Sequence, residues 1–305
     1  MQTATLRTRF CLWVAIASGT TGFFVSAPPV AAQELPRRYS APYAEKTVVV
    51  DGKLDDAAWA KAQWTEDFVD IEGDRQPKPA LQTRAKMAWD DDFLYIGAEL
   101  KEPHLQGSLT VRDSVIFHDN DFEIFIDPDG DTNNYGEFEI NTLNTGWDLR
   151  LTKPYSKGGE ADDGWTIDGL KTAVHLNGTV NNSSDTDESW TMEVAIPWKG
   201  LAALDDPSTP VRKAKRQGPL FKEYEPEIRQ DVELISRKLK ASVTPKPGDE
   251  WRINFSRVEW QFNVIDGRYE KVPNTKENNW VWSPQGKIDM HAPETWGYVR
   301  FVGKP

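Results

Sequence analysis

Large apolar residues recur at every second position in many short segments of this chain, which is the period typical of β-strands. The alternation is cleanest in residues 190–196 and 251–255. The predicted strands are residues 47–50, 83–89, 93–100, 122–127, 137–142, 147–152, 170–176, 190–196, 251–258, 267–272 and 297–302. Many short strands with few helices predict an all-β fold, a two-sheet antiparallel β-sandwich in which each strand turns one face to a common core.

Two segments interrupt the strand pattern. Residues 54–62 predict a short N-terminal helix with Asp55 as its N-cap and Trp59 buried against a sheet. Residues 202–246 are dense in charge and bounded by prolines, and they predict a charged helical insertion on the surface. A solvated helix without function and a docking surface for an enzyme partner both fit that insertion.

The first residues predict a signal peptide. Arg7 and Arg9 precede an apolar stretch over residues 10–30, and two alanines close it. A membrane anchor is the alternative, but small and polar residues at 18–21 interrupt the stretch before it reaches the ~20 apolar residues of a span. Cleavage of residues 1–32 would leave a single domain, residues 33–305, that is secreted or periplasmic and does not bind the membrane.

Charge narrows the range of partners. The 305-residue chain has a formal net charge of -12, and residues 1–32 contribute two arginines and no acidic residue. The mature chain is therefore more acidic still, which argues against nucleic acid as a partner. The only cysteine, Cys11, lies in the predicted signal peptide, so no disulfide is expected.

Residues 119–141 combine two alternating strands with an acid-rich turn. The apolar side chains of both strands would face the core, whereas Glu123, Glu137 and Glu139 would point away from it. The turn carries four oxygen ligands at close spacing: Asp127, Asp129, Asp131 and Asn133. Because such carboxylates repel one another until a cation neutralises them, the turn predicts a structural Ca²⁺ site. Solvated turn acids without a metal are the alternative.

Five motifs follow one another along the chain. They are V-V-V-D-G-K-L-D-D-A-A-W (48–59), A-K-M-A-W-D-D-D-F-L-Y-I-G-A-E-L (85–100), D-F-E-I-F-I-D-P (121–128), W-T-M-E-V-A-I-P-W (190–198) and W-G-Y-V-R-F (296–301). In this order they resemble a family 9 carbohydrate-binding module. The resemblance covers nearly the whole mature chain apart from the insertion. It implies a β-sandwich with structural calcium that binds sugars without turning them over, often beside glycoside hydrolases in polysaccharide breakdown.

The resemblance also implies a sugar site, in which two aromatic rings clamp a sugar ring and polar side chains bind its hydroxyls. Matching the motifs by position puts the first clamp at Phe117 and the second at Met290, with Trp282 nearby. Glu123 matches an acidic residue of that site, and Glu139 stands where the family has a basic one. Two neighbouring carboxylates disfavour acidic sugars, so a neutral glycan or oligosaccharide is the expected ligand. A scaffold protein that kept the fold and lost the sugar site is the alternative.

The tryptophans form two groups, according to whether they alternate in step with apolar neighbours on a predicted strand or helix or lie in a predicted loop. Those in step with apolar neighbours, such as Trp59 and Trp190, are expected in the core. Trp165, Trp280 and Trp282 lie in predicted loops and are the candidates for exposed binding platforms.

The sequence gives weaker support to two further functions, an enzyme and a haem-binding module. An enzyme is not expected, because the sequence carries no nucleophile elbow, zinc-type histidine cluster or phosphate loop. The most suggestive polar pair is His118 with Asp119, and a surface histidine before a strand explains it equally well. Met290 and His291 are adjacent and could ligate a haem, but no further haem motif accompanies them.

Overall fold

A sheet of nine strands and a sheet of four face each other across one apolar core, as predicted from the alternation. The computed structural model describes residues 35–206, 208–212 and 243–303. The strands of this part are β1 (Arg38–Pro42), β2 (Val69–Asp70), β3 (Thr83–Trp89), β4 (Phe93–Lys101), β5 (Asp121–Asp127), β6 (Tyr135–Asn141), β7 (Gly146–Leu151), β8 (Ala161–Asp162), β9 (Lys171–Asn177), β10 (Ser189–Pro197), β11 (Glu250–Glu259), β12 (Phe262–Ile265), β13 (Arg268–Lys271), β14 (Asn278–Val281) and β15 (Gly297–Val302).

The larger sheet has the order β1-β15-β11-β5-β6-β7-β8, with β14 beside β11 and β2 beside β14. The smaller sheet has the order β3-β4-β10-β9, and β12 and β13 form a separate hairpin. Of the strand pairs in the described part, β1 with β15 is parallel and the others are antiparallel. The antiparallel prediction is therefore confirmed with one exception.

The main core is built from the inner face of each sheet. Met192 and Val194 on β10 point into it from the smaller sheet, and Ile124 on β5 and Phe255 on β11 meet them from the larger one. These side chains are all at most 1 % exposed. The period of two in the sequence correctly identified this inner face.

The outer face of the larger sheet is also covered, which the sequence did not predict. Every residue of β5, β6 and β7 is buried. A second apolar cluster, with Ile116, Trp147 and Trp296 among its members, packs on this outer face, and Phe117 and Met290 lie against it half-buried. Loops that precede β5 and β15 supply these residues except Trp147, which lies on β7. The acidic residues that alternate with the core residues are consequently enclosed.

The outer face of the smaller sheet is covered by the segment that contains the predicted helix. Helix α1 (Ala57–Lys61) is shorter than the predicted range 54–62, and its N-cap is Asp56, one residue after the predicted Asp55. Trp59 is buried there, as predicted. Residues 47–50 form no strand, which corrects the prediction, because Val48 packs against this outer face in one cluster with Trp59.

The predicted insertion at 202–246 begins with buried residues. A 3-10 helix spans Trp198–Asp205, and its apolar side chains join the main core. Residues 213–242 of the insertion and residues 1–32 of the predicted signal peptide lie outside the described residues. In the described part, no helix has both the length and the apolar character needed to cross a membrane.

Candidate functional site

The loop before β5 is held in place by one buried carboxylate. Asp119 accepts hydrogen bonds from the backbone N–H groups of Ser108 and Leu109 at 2.8 and 2.9 Å and from the Asn141 amide at 3.0 Å. Its second oxygen accepts the Ser108 hydroxyl at 2.7 Å. Asp119 therefore organises the loop, while His118 is exposed beside it, and the pair has the geometry of a structural anchor.

Three of the residues predicted for the sugar site lie together. Glu123 on β5 is directly opposite Glu139 on β6. The backbone N–H of Phe117 donates to Glu139 Oε2 at 2.9 Å, so the backbone of Phe117 is anchored to this carboxylate pair. Both glutamates are buried, with 5 % and 2 % of their surface exposed, whereas Phe117 is half-buried.

Sequence reasoning missed Asp121 as a member of this group. One oxygen each of Asp121, Glu123 and Glu139 lie within 4.8 Å of one another. We call these three residues the buried carboxylate cluster. The signal was present, because Asp121 is two residues before Glu123 and therefore lies on the same face of β5.

Burial dominates the electrostatics of this face. It raises the pKa of Asp121 and of Glu139 well above the ordinary range, and neighbouring carboxylates raise both further. Burial also raises the pKa of Glu123 to about 7, with the Ser256 hydroxyl acting in the opposite direction. Burial also raises the pKa of Glu137, which lies on the same face, and the negative charge of Glu123 raises it further.

Trp260 is the second residue that sequence reasoning missed. Its indole N–H donates to the Phe117 carbonyl at 2.8 Å, and its backbone N–H donates to Asn120 at 2.8 Å. The ammonium of Lys271 lies 3.4 Å from the centroid of the indole ring. Trp260 directly follows β11 in phase with Ser256, which places it on the outer face. Phe117, His118, Trp260 and Lys271 form what we call the aromatic rim.

The predicted tryptophan platforms are wrong. Trp282 is fully buried, and Trp165 and Trp280 are 2 % and 7 % exposed. The ring of Trp282 packs against Phe255 at 5.9 Å and Tyr39 at 6.4 Å between ring centroids. It cannot stack on a sugar because the main core already covers it. A loop position in the sequence does not imply exposure where the loop folds back over a sheet.

Met290, predicted as the second clamp residue, lies against the same outer apolar cluster as Phe117 and is tied to its own loop. Its sulfur accepts the Gln285 amide at 3.0 Å, and its carbonyl accepts the indole N–H of Trp296 at 3.0 Å. The adjacent His291 is within 3.1 Å of the Tyr135 hydroxyl and packs edge-on against Tyr155. Both residues are thus engaged by their surroundings.

The acid-rich turn folds as its spacing suggested, since single oxygens of Asp127, Asp129 and Asp131 lie within 4.8 Å of one another. Backbone N–H groups of the turn already bond to these carboxylates. Asp127 accepts from Gly130 and Thr132, Asp129 accepts from Asp131, and Asp131 accepts from Asn133. Burial raises the pKa of Asp127 to about 7, and the bonds from Thr132 and Gly130 lower it. These residue types and their convergence fit a hard cation such as Ca²⁺.

The β-sandwich with polar groups gathered beneath a half-exposed aromatic rim defines a binding module. The family described as "Carbohydrate family 9 binding domain-like" matches residues 50–214, and the chain belongs to this family of binding modules. The predicted resemblance is thereby confirmed.

Individual relatives are distant. The chain is 28% identical over 160 residues to Exoglucanase XynX of Acetivibrio thermocellus, a match that covers 52% of this chain and 12% of that enzyme. A family 9 module of Caldicellulosiruptor kristjanssonii in complex with glucose superposes with a TM-score of 0.51 at 16% identity, covering 88% of this chain and 97% of that one. A candidate carbohydrate-binding protein of Bacteroides uniformis gives 0.53 at 14% identity, covering 87% and 99%. These structures support the shared fold.

Proposed function

We propose that this protein binds a neutral glycan at the aromatic rim, beside Glu139, and does not catalyse a reaction on it. The observation that carries the proposal is the pair Phe117 and Trp260, whose side chains are both half-buried and which are linked by a 2.8 Å hydrogen bond from the Trp260 indole N–H to the Phe117 backbone carbonyl. Aromatic rings that are partly exposed can stack on the apolar face of a sugar. His118 and Lys271 supply polar groups at the same edge for its hydroxyls.

Membership of the family supports this proposal, and the glucose complex of the Caldicellulosiruptor module shows a sugar bound to a related sandwich. The rim differs from the site predicted from sequence, because the tryptophan beside Phe117 is Trp260 and not Trp282. Glu123 and Glu139 are too enclosed to meet a hydroxyl unless the rim moves, so they support the binding surface from below. Neutral sugars remain the expected ligands, because stacking on the rings of Phe117 and Trp260 requires no charge on the sugar.

Calorimetry with the best neutral hit from a glycan array tests the proposal. Phe117→Ala and Trp260→Ala should each weaken binding by about tenfold to a hundredfold, which corresponds to about 1 to 3 kcal/mol of buried aromatic surface. Trp64→Ala is the matched control, because Trp64 is also half-buried but packs under Arg84 on the smaller sheet. All three variants must melt as cooperatively as the parent. Unchanged affinity in both rim variants would place the site elsewhere, and no binding to any neutral glycan would favour a scaffold role.

Export and a structural calcium ion belong to the same proposal. The apolar stretch and small residues before residue 33 support secretion, so the mature chain should begin near Gln33. The converging carboxylates of Asp127, Asp129 and Asp131 support the calcium ion. The segment 202–246 is proposed as the surface that an enzyme partner would contact, on the strength of its charge density.

A further inference from the structure

Three carboxylates are enclosed on the outer face of the larger sheet with too few hydrogen-bond donors to satisfy them. Asp121 is fully buried, and neither of its carboxylate oxygens accepts a hydrogen bond of ordinary geometry, although the backbone N–H of Val258 is near enough to lower its pKa. Glu123 Oε2 is also without a partner. Glu139 Oε2 accepts the backbone N–H of Phe117. Buried polar atoms without partners are rare in native proteins, because each costs the desolvation of its group.

A fourth oxygen points to the same place. Ser256 on β11 is directly opposite Glu123, and its hydroxyl is buried without a hydrogen-bond partner of ordinary geometry. Ser256 and the buried carboxylate cluster thus bring oxygen atoms from three adjacent strands onto one face. The charge of Lys271 interacts with Asp119, Glu277 and Asp121. Its ammonium nevertheless lies over the ring of Trp260 and not between the carboxylates.

The acid-rich turn makes an instructive contrast. There, backbone N–H groups of the turn bond to Asp127, Asp129 and Asp131, and the last two are exposed to water. In the buried carboxylate cluster the oxygens have neither water nor enough N–H donors. An enclosed set of oxygens that lack partners is the arrangement a hard cation completes.

The donor set favours calcium. Ca²⁺ takes about six to eight oxygen ligands, including carboxylates that bind through one oxygen or both, whereas Mg²⁺ usually keeps several of its own waters. The cluster offers three enclosed carboxylates, with one oxygen of each within 4.8 Å of the others. We propose that Asp121, Glu123 and Glu139 bind one Ca²⁺ ion beneath Phe117, with the Ser256 hydroxyl as an additional ligand. This site is independent of the acid-rich turn and does not require that a glycan binds.

Calcium stoichiometry of the purified exported chain tests the site. After treatment with a chelator, equilibrium dialysis against Ca²⁺ with elemental analysis should show that Asp121→Asn binds one ion per chain fewer than the parent. Asp129→Asn, which alters only the acid-rich turn, should keep the ion at the cluster. Glu188→Gln, whose side chain is 75% exposed, is the control for the lost charge and should bind as the parent does.

Thermal melts provide a second readout that a merely structural carboxylate would not give. In chelator, Asp121→Asn should melt above the parent, because a neutral asparagine avoids both the burial of a charged carboxylate and the uptake of a proton that its raised pKa requires. In calcium the order should reverse, since the parent gains the bound ion. If Asp121→Asn does not fold, Glu139→Gln takes its place with the same expectation. A calcium stoichiometry equal to that of the parent in both variants would overturn the proposal, and so would an Asp129→Asn variant that binds no calcium.

Discussion

Replacing Glu193 by glutamine should weaken the attachment of residues 48–62, which we call the covering segment, to the outer face of the smaller sheet. Glu193 lies on the outer face of β10, almost fully buried. Its Oε1 accepts the indole N–H of Trp59 at 2.7 Å, and its Oε2 accepts the backbone N–H groups of Asp51 and Gly52, each at 2.8 Å. One carboxylate thus binds both the Asp51–Gly52 turn and Trp59 of helix α1, although β10 is more than a hundred residues away in sequence.

The expected loss follows from these three donors. Glutamine keeps one acceptor oxygen, so its NH₂ group must face either the indole or the two backbone amides. The better orientation keeps the bonds to Asp51 and Gly52 and leaves the indole N–H of Trp59 buried without an acceptor, which costs about 1–3 kcal/mol. The two remaining bonds lose their charge assistance. Burial raises the pKa of Glu193, so removing the charge recovers part of its desolvation. We expect a net loss of about 2 kcal/mol in the free energy of unfolding.

Urea unfolding at pH 7, followed by tryptophan fluorescence, measures this loss. Trp59→Phe removes the indole donor, and the double variant completes a cycle in which the coupling between the two positions should be about 1–2 kcal/mol. Glu188→Gln, exposed immediately before β10, is the control and should stay within about 0.5 kcal/mol of the parent. A loss below about 0.5 kcal/mol for Glu193→Gln, or no coupling in the cycle, would refute the reasoning.

Two further predictions concern calcium and acid. Calcium at a hundredfold excess over Kd should stabilise the native state through the acid-rich turn by about 2.7 kcal/mol, and Asp129→Ala should remove that part of the rise in melting temperature; an unchanged rise would count against a turn site. Burial lowers the pKa of His291 from 6.5 to about 4, so the unfolded chain takes up this proton at a higher pH than the folded one. The contribution of His291 to stability is therefore complete above pH 6.5 and is lost as pH falls towards 4, by up to about 3 kcal/mol at 1.36 kcal/mol per pKa unit. NMR titration of the His291 ring checks this, and a measured pKa of 6 or more would contradict it.

The alternation of side chains was enough to predict the sandwich. Apolar residues alternate at 190–196 in β10 and at 251–255 in β11, and a strand with a period of two turns one face to a core. The acid-rich turn was equally predictable, because Asp127, Asp129 and Asp131 are neighbours in the chain and a tight turn leaves them few ways to separate. Both features are local, and the sequence contains all the information they need.

Whether the outer faces of the two sheets are buried or exposed was decided by the tertiary structure. Whether Glu123 and Glu139 meet water depends on where the loops before β5 and β15 lie, and the loop before β15 is remote from them in sequence. Tertiary packing also buried Trp282 in the main core and brought Trp260 beside Phe117, which exchanged one aromatic candidate for another. Periodicity reports that two faces of a strand differ in polarity, but burial is a property of what covers each face. For this reason the sequence alone led to the fold and to two of the three buried carboxylates, whereas only the folded chain showed that they are enclosed together with Asp121.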